Sequence, residues 1–119
     1  MTILFTAIGG GLGAMLRYIL DTILKERARM HPALSILIIN ALGSLVLGFT
    51  AAVILEAPAI LTLLIIGVCG GFTTFSTASL DTYKLLQQRA FTLAVAHAIG
   101  QLAICVALAF AGFFIASRM

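Results

Sequence analysis

Charged residues are scarce in this chain. Seven of its 119 residues are Lys or Arg and four are Asp or Glu, while 62% are hydrophobic and the mean hydropathy is +1.20. A water-soluble domain of this size could not cover its surface with so few charges. The composition excludes a soluble fold and predicts a protein surrounded by membrane lipid.

Cysteine and membrane-embedded acid are also nearly missing. The chain has two cysteines, Cys69 and Cys105, both within apolar stretches where free cysteines serve as packing residues, so no disulfide is expected. No Asp or Glu lies in the core of an apolar stretch. The sequence therefore argues against a small four-helix multidrug exporter, because such an exporter needs a membrane-embedded acid for proton exchange.

Other function classes lack their residues as well. The basic residues are scattered and have no interleaved aromatics, which argues against nucleic-acid binding. We find no nucleophile paired with a base, no cluster of metal ligands and no phosphate loop, so the chain is not expected to be an enzyme.

Four long apolar stretches occupy most of the chain. A helix needs roughly 20 apolar residues to cross a bilayer and satisfies its own backbone hydrogen bonds there. The sequence therefore predicts one all-α membrane domain, residues 1–119, with no removable signal peptide. Its four expected transmembrane helices are Met1–Leu20, Ala33–Leu55, Ala57–Leu80 and Ala90–Ser117.

Basic residues are unequally divided between the two ends of these helices. Loop one, from Lys25 to Pro32, holds three, and the turn from Lys84 to Arg89 holds two more, whereas Arg118 is the only one on the other side. The loop around Glu56 and Pro58 holds none. By the positive-inside rule, loops one and three are expected in the cytoplasm, with both termini outside.

Small residues recur at a spacing of four, which allows helix backbones to approach closely in lipid. The pairs are Gly9 and Gly13, Ser44 and Gly48, and Gly67 and Gly71.

The third stretch combines glycines with hydroxyls. From Gly67 it reads Gly-Val-Cys-Gly-Gly-Phe-Thr-Thr-Phe-Ser-Thr-Ala-Ser-Leu-Asp. Glycine loosens a helix and Ser or Thr can satisfy freed backbone groups, so we expect a break near Gly70 to Thr74. Freed carbonyls suit a hard cation, and nearby hydroxyl and amide donors suit a small anion.

Four further polar residues leave alternatives open. Asn40 can form an interhelical hydrogen bond or offer N–H donors to an ion. Arg17, inside the first stretch, is either a structural anchor or an attractor of anions. Asp81 is expected at a helix end, facing water or paired with a base, and His97 is expected to be packed, with Gln101 as its candidate partner.

Three segments resemble the Fluc (CrcB-type) fluoride channel family. They are Gly10-Gly11-Leu12-Gly13-Ala14-Met15-Leu16-Arg17-Tyr18, Asn40 with the helix to Gly48, and Gly70-Gly71-Phe72-Thr73-Thr74-Phe75-Ser76-Thr77. The resemblance implies passive fluoride efflux across the cell membrane through an antiparallel dimer with two pores. It also implies a structural sodium ion held by main-chain carbonyls at the positions of Gly70 and Thr73.

The resemblance assigns the fluoride path to Asn40 and Phe75, with Arg17 near the vestibule. Hydroxyl donors available beside them are Ser76, Thr77 and Ser79. Ala78 stands where the family has a second Phe, and Gln101 and Cys105 stand where related chains place small hydroxyls. Because of these departures and the fixed orientation, we hypothesise a heterodimer with an oppositely oriented paralogous subunit. A non-conducting accessory subunit is the alternative.

Overall fold

The computed structural model describes residues 1–54 and 57–119. Leu55, expected to end the second span, and Glu56 of the second loop lie outside the described residues. Within the described ranges the chain forms helices joined by short connections, and no strand. They are α1 Thr2–Glu26, α2 Pro32–Val53, α3 Ala59–Phe72, α4 Phe75–Gln87 and α5 Phe91–Ser117.

The four membrane crossings expected from the sequence are present. By length and composition, α1, α2 and α5 are each able to span a bilayer, and α3 and α4 together supply the remaining crossing, Ala59–Gln87. The prediction of an all-α membrane protein with four transmembrane helices is confirmed. The chain is a multi-pass membrane protein.

Two helices run further than the apolar stretches predicted. α1 continues past Leu20 to Glu26, and the third crossing continues past Leu80 to Gln87. Lys84 is therefore in the last turn of α4 and not in a loop. Both extensions contain charged and polar residues, so the apolar stretches of the sequence end where the extensions begin. In α1 the extension is held by Lys25 Nζ, which donates to Asp21 Oδ2 at 2.7 Å across one helical turn.

The two basic connections are tight turns. Arg29 and Arg89 have φ of 52° and 57°, a left-handed conformation that side chains adopt at an energetic penalty. After the first turn, His31 Nδ1 accepts a hydrogen bond from the Ala33 N–H, and Pro32 occupies the first position of α2, where no helical donor is needed. Both turns leave their arginines exposed.

The helices pack in two main pairs, α1 with α3 and α2 with α5. Glycines make these contacts possible. A Cβ at Gly13 would overlap the Val68 carbonyl oxygen, and one at Gly48 would overlap the Ala109 carbonyl oxygen. The close helix approach expected from the small residues is therefore observed at the glycines of all three pairs, whereas Ser44 does not share it and lines a groove instead.

A small core lies between the two pairs. It consists of Ile36 and Ile39 of α2 and Ala78 of α4, and it is flanked by Leu20, Leu24 and Phe72. α4 packs against α5 and α2. The two halves of the third crossing thus have different main neighbours, α1 for α3 and α5 for α4, while both contact α2.

Candidate functional site

The third crossing is interrupted at two residues. α3 ends at Phe72 and α4 begins at Phe75, and Thr73 and Thr74 between them are extended, with ψ of 155° and 123°. The break lies at the end of the expected interval. Gly70 itself is helical, and no glycine of the described chain has positive φ. The extended turn is made by threonines, which tolerate it without glycine.

The break redirects two main-chain N–H groups. In a continuous helix the Thr74 N–H would bond the Gly70 carbonyl and the Thr77 N–H would bond the Thr73 carbonyl. Instead the Thr74 N–H donates to Asn40 Oδ1 at 2.8 Å, and the Thr77 N–H donates to Thr74 Oγ1 at 3.4 Å. The carbonyls of Gly70 and Thr73 are thereby released from their helical donors, as a carbonyl-based cation site requires.

Asn40 pairs with the main chain of the break at two points. Besides accepting from the Thr74 N–H, it donates from Nδ2 to the Thr74 carbonyl at 2.9 Å. Its side chain is only 7% exposed. Of the two alternatives drawn from the sequence, the interhelical hydrogen bond is present, and it leaves the second N–H of the amide uncommitted.

A groove of about 590 Å³ runs beside the break, between α2, α4 and α5. Most of its wall is apolar, with polar side chains from all three helices spaced along it. The polar and titratable members are Asn40, Ser44, Thr73, Thr74, Ser79, Thr82, Tyr83, His97, Gln101 and Cys105. An elongated apolar groove with spaced donors can bind a small ion that has lost its water.

Four of the residues predicted from the sequence meet at this groove: Asn40, Thr73, Phe75 and Ser79. Ser79 has already committed its hydroxyl hydrogen, because Oγ donates to the Phe75 carbonyl at 2.8 Å. To donate to an anion, this hydroxyl would have to rotate away from its own helix.

The remaining predicted residues lie elsewhere. Ser76 and Thr77 follow Phe75 on α4 but do not line the groove, and Gly70 is exposed with open space around its Cα. Arg17 belongs to α1, which contributes no residue to the groove. Within a single subunit these four positions are not part of one site.

Phe75 and Ala78 have opposite surroundings. Phe75, the first residue of α4, is 88% exposed, whereas Ala78 is 7% exposed and packs with Ile36 and Ile39. The ring of Phe75 thus projects from the subunit with nothing packed over it. The resemblance noted above implies a second Phe at position 78, and the methyl group of Ala78 that stands there packs in the core and also lines the groove.

Thr82 and His97 line the groove but were not predicted as site residues. Thr82 Oγ1 lies 2.9 Å from His97 Nδ1, so the expected pairing of His97 with Gln101 is wrong. His97 Nε2 and both polar atoms of the Gln101 amide are buried without a hydrogen-bond partner in the described chain. The sequence signal for His97 and Gln101 was their spacing of four residues, which continues to Cys105 and puts all three on one face of α5.

Asp81 is also placed differently from expectation. It lies within α4, is 7% exposed, and its Oδ2 has no hydrogen-bond partner among the described residues. The prediction of a water-facing or base-paired helix end is wrong, because α4 continues for six residues beyond Asp81 to Gln87.

The side chains offer no conventional metal centre. Across residues 1–54 and 57–119, no group of three His, Cys, Asp or Glu residues is close enough to hold a metal ion. A cation bound near the break would depend on main-chain oxygens, which suit hard ions such as sodium better than transition metals.

Comparison with known proteins identifies the family. The sequence model of the family described as CrcB-like protein, Camphor Resistance (CrcB), matches residues 4–113. The chain belongs to the CrcB-like family. It is 40% identical over 105 residues to fluoride-specific ion channel FluC 1 of Leifsonia xyli, covering 86% of this chain and 77% of that protein.

Two further relatives cover more of their own length. Fluoride-specific ion channel FluC 2 of Cutibacterium acnes is 36% identical over 123 residues, with both chains fully covered. Fluoride-specific ion channel FluC of Thermus thermophilus is 39% identical over 113 residues, covering 92% of this chain and 90% of the relative. The chain therefore spans most or all of the length of these two relatives.

Proposed function

We propose that the CrcB-like chain is a subunit of a fluoride-specific ion channel that lets fluoride leave the cytoplasm passively. Its relatives carry that function in their names. The observation that carries the proposal is the mostly apolar groove beside the break. Two amides line it: Asn40, which has one N–H without a partner, and Gln101, whose buried amide has no partner among the described residues. The chain is a channel subunit and not an enzyme.

Fluoride needs donors because its charge is poorly tolerated in a bilayer. A bare charge at the bilayer centre costs between roughly 3 and 17 kcal/mol, and a pathway lowers this by replacing the lost water. Amide N–H groups can fulfil this role at Asn40 and Gln101. The positive edge of an aromatic ring, such as Phe75, is a further favourable contact for an anion.

Cys105 provides a direct test, because it lines the groove and the other cysteine, Cys69, is buried. Liposomes containing the chain and any homologous subunit it assembles with should release fluoride but not chloride. Methyl methanethiosulfonate should block that release by adding a thiomethyl group inside the groove. The Cys105→Ala variant should conduct and resist the reagent, whereas Cys69→Ala should remain sensitive.

Two results would contradict this function. One is the absence of fluoride release from liposomes that contain correctly assembled protein. The other is block of the Cys105→Ala variant, which would place the reactive position outside the groove and remove it as the pathway.

We further propose that two oppositely oriented subunits complete the channel. The groove is open on one side and Phe75 projects from the surface beside it, so a second subunit is needed to enclose the ion. Apolar side chains that face lipid are expected in a membrane protein, but the polar side chains along the groove are costly to leave against acyl chains.

The partner is proposed to be a paralogous chain and not a second copy. The positive-inside rule favours one membrane orientation for this chain, because Arg27, Arg29 and Arg89 are exposed in the two basic connections. A homodimer of inverted subunits needs the same chain to insert in both orientations. Ala78 would also leave both pores of a homodimer without the second ring. C-terminal reporter fusions should report only the outside of the membrane, and equal populations on the two sides would refute the fixed orientation.

Ala78 also favours a second candidate function, that of an accessory subunit with no pore of its own. Flux measurements on the co-purified pair distinguish the two. If Phe75→Ala changes fluoride release, this chain contributes to a conducting pore. If release is unaffected, the pore belongs to the partner alone.

A structural sodium ion is part of the proposed assembly. The carbonyls of Gly70 and Thr73 lack the helical donors diverted at the break, and Gly70 is exposed in the single subunit. Main-chain oxygens without hydrogen bonds fit a hard monovalent cation. When bound, the ion would neutralise the partial negative charge of these oxygens and connect the break of this subunit to the corresponding break of the partner.

A further inference from the structure

The contact between Asn40 and the break links two parts of the proposed channel that are otherwise separate. We propose that Asn40 is a positioning residue for the cation site as well as a donor in the groove. This inference rests on the proposed sodium site at Gly70 and Thr73. It extends that site by naming the side chain that keeps its oxygens available.

The geometry of the pairing supports this role. Asn40 Oδ1 accepts the Thr74 N–H at 2.8 Å, which is the donor that would otherwise return to the Gly70 carbonyl. Asn40 Nδ2 donates to the Thr74 carbonyl at 2.9 Å, so the same peptide segment is held from both sides. The amide satisfies the main chain of the break as a neighbouring strand would, and it blocks closure of the helix.

The position of Asn40 makes this restraint rigid. Gly43, on the next turn of α2, faces the Thr73 methyl group and the Phe72 ring, and a Cβ there would overlap that methyl. α2 thus contacts the break directly at Asn40 and again one turn later at Gly43. A buried polar pair in such packing has no water to replace it, so its loss leaves donors and acceptors unsatisfied.

The same amide has one N–H left for the groove. Its two bonds to Thr74 fix which side of the amide carries oxygen and which carries nitrogen, and therefore fix the direction of the remaining N–H. Cation binding at the carbonyls and anion binding at this N–H consequently bias the same main-chain conformation. Linkage requires the effect to be reciprocal: sodium should strengthen fluoride binding and fluoride should strengthen sodium binding.

The test measures sodium binding without using ion flux. The assembled full-length channel is purified in detergent, and its unfolding temperature is followed as sodium replaces N-methyl-D-glucamine. Removing two hydrogen bonds should weaken the apparent sodium affinity of Asn40→Ala by about tenfold or more. Gln88→Leu is the matched control, because it removes an exposed amide that lines neither the groove nor the break, and its sodium affinity should equal that of the wild type.

Asn40→Asp separates the two hydrogen bonds. The carboxylate keeps an acceptor for the Thr74 N–H but loses the donor to the Thr74 carbonyl, so its sodium affinity should fall between those of the wild type and Asn40→Ala. This variant also decides the matter if Asn40→Ala does not fold. A wild-type sodium affinity in either variant, together with lost fluoride release, would overturn the proposal and leave Asn40 as an anion donor only.

Failure of the underlying site has a different signature. If sodium does not stabilise even the wild-type channel while fluoride release is normal, the proposed cation site is absent and the inference falls with it. The fluoride pathway would be unaffected by that result. Stabilisation of the wild type by sodium that is lost in Asn40→Ala, and retained in Gln88→Leu, supports the link.

Discussion

The hydroxyl of Thr82 in α4 lies 2.9 Å from the imidazole Nδ1 of His97 in α5. Thr82 Oγ1 is also 3.1 Å from the Ala78 carbonyl, to which it can donate its hydrogen. In that arrangement His97 Nδ1 carries a hydrogen and donates to Thr82. The pair therefore connects the second half of the broken crossing to the last helix, at the wall of the groove.

We expect this pair to contribute modestly to stability. Interhelical hydrogen bonds within membranes average about 0.6 kcal/mol and reach roughly 1.7 kcal/mol. A double-mutant cycle with Thr82→Val and His97→Phe, followed by unfolding in mixed detergents, should give a coupling free energy in that range. Thr62→Val is a suitable control, since Thr62 bonds only the Pro58 carbonyl of its own helix. A coupling of zero between Thr82 and His97 would contradict the observed contact.

Gln101→Leu should affect stability and conduction in opposite directions. The buried amide has no protein partner, so an apolar side chain should raise the unfolding free energy by about 1 kcal/mol. Fluoride release should fall by about tenfold or more, because a donor to the anion is lost. Chemical unfolding and a fluoride electrode measure the two effects. Gln88→Leu, an exposed amide outside the groove, should change neither, and a Gln101→Leu channel with normal release would remove Gln101 from the path.

Phe75→Ala should weaken assembly without unfolding the subunit. The ring is 88% exposed, so truncating it removes no contact within the chain. Its loss should lower fluoride release and the fraction of dimer seen on dilution in detergent, while the helical circular dichroism stays unchanged. Phe91→Ala is the control, because Phe91 is also exposed and lies outside the groove. Equal effects of the two substitutions would indicate a general loss of apolar surface.

Gly13→Ala should destabilise the pair formed by α1 and α3. The added methyl would overlap the Val68 carbonyl and approach the Phe72 N–H, and backbone cannot move aside as a side chain can. We expect a loss of about 1–3 kcal/mol, typical of overpacking. Gly11→Ala provides the comparison, because nothing lies within 4 Å of a Cβ at Gly11. Unfolding measurements that rank the two variants equally would contradict the close approach.

The sequence predicted the crossings because each is long and apolar, a signal that depends on no tertiary contact. It predicted a break between Gly70 and Thr74 from glycine and hydroxyl content, but not which two residues of that interval are extended. The two extended residues are threonines, and what holds them there is Asn40, which is 34 residues away from Thr74 along the chain. A long-range hydrogen bond of this kind leaves no local pattern to read.

The candidate site was predicted in part for the same reason. Asn40 was found as a polar residue within an apolar stretch and Phe75 through the family resemblance, and both line the groove. Ser76 and Thr77 were expected there because of their hydroxyls, but a helix turns by 100° per residue and only some of its faces meet the groove. Thr82 and His97 were missed because each is ordinary until their helices are packed together.

The break also separates two packing environments along a single membrane crossing. α3 lies against α1 through backbone contacts that tolerate no added atoms, whereas α4 lies against α5 and α2 through side chains. Thinning or thickening of the bilayer would change the tilt of these units by different amounts, so the angle at Thr73 and Thr74 should absorb the difference. We therefore expect fluoride release to vary with acyl-chain length, and a series of liposomes that differ only in lipid thickness would measure it.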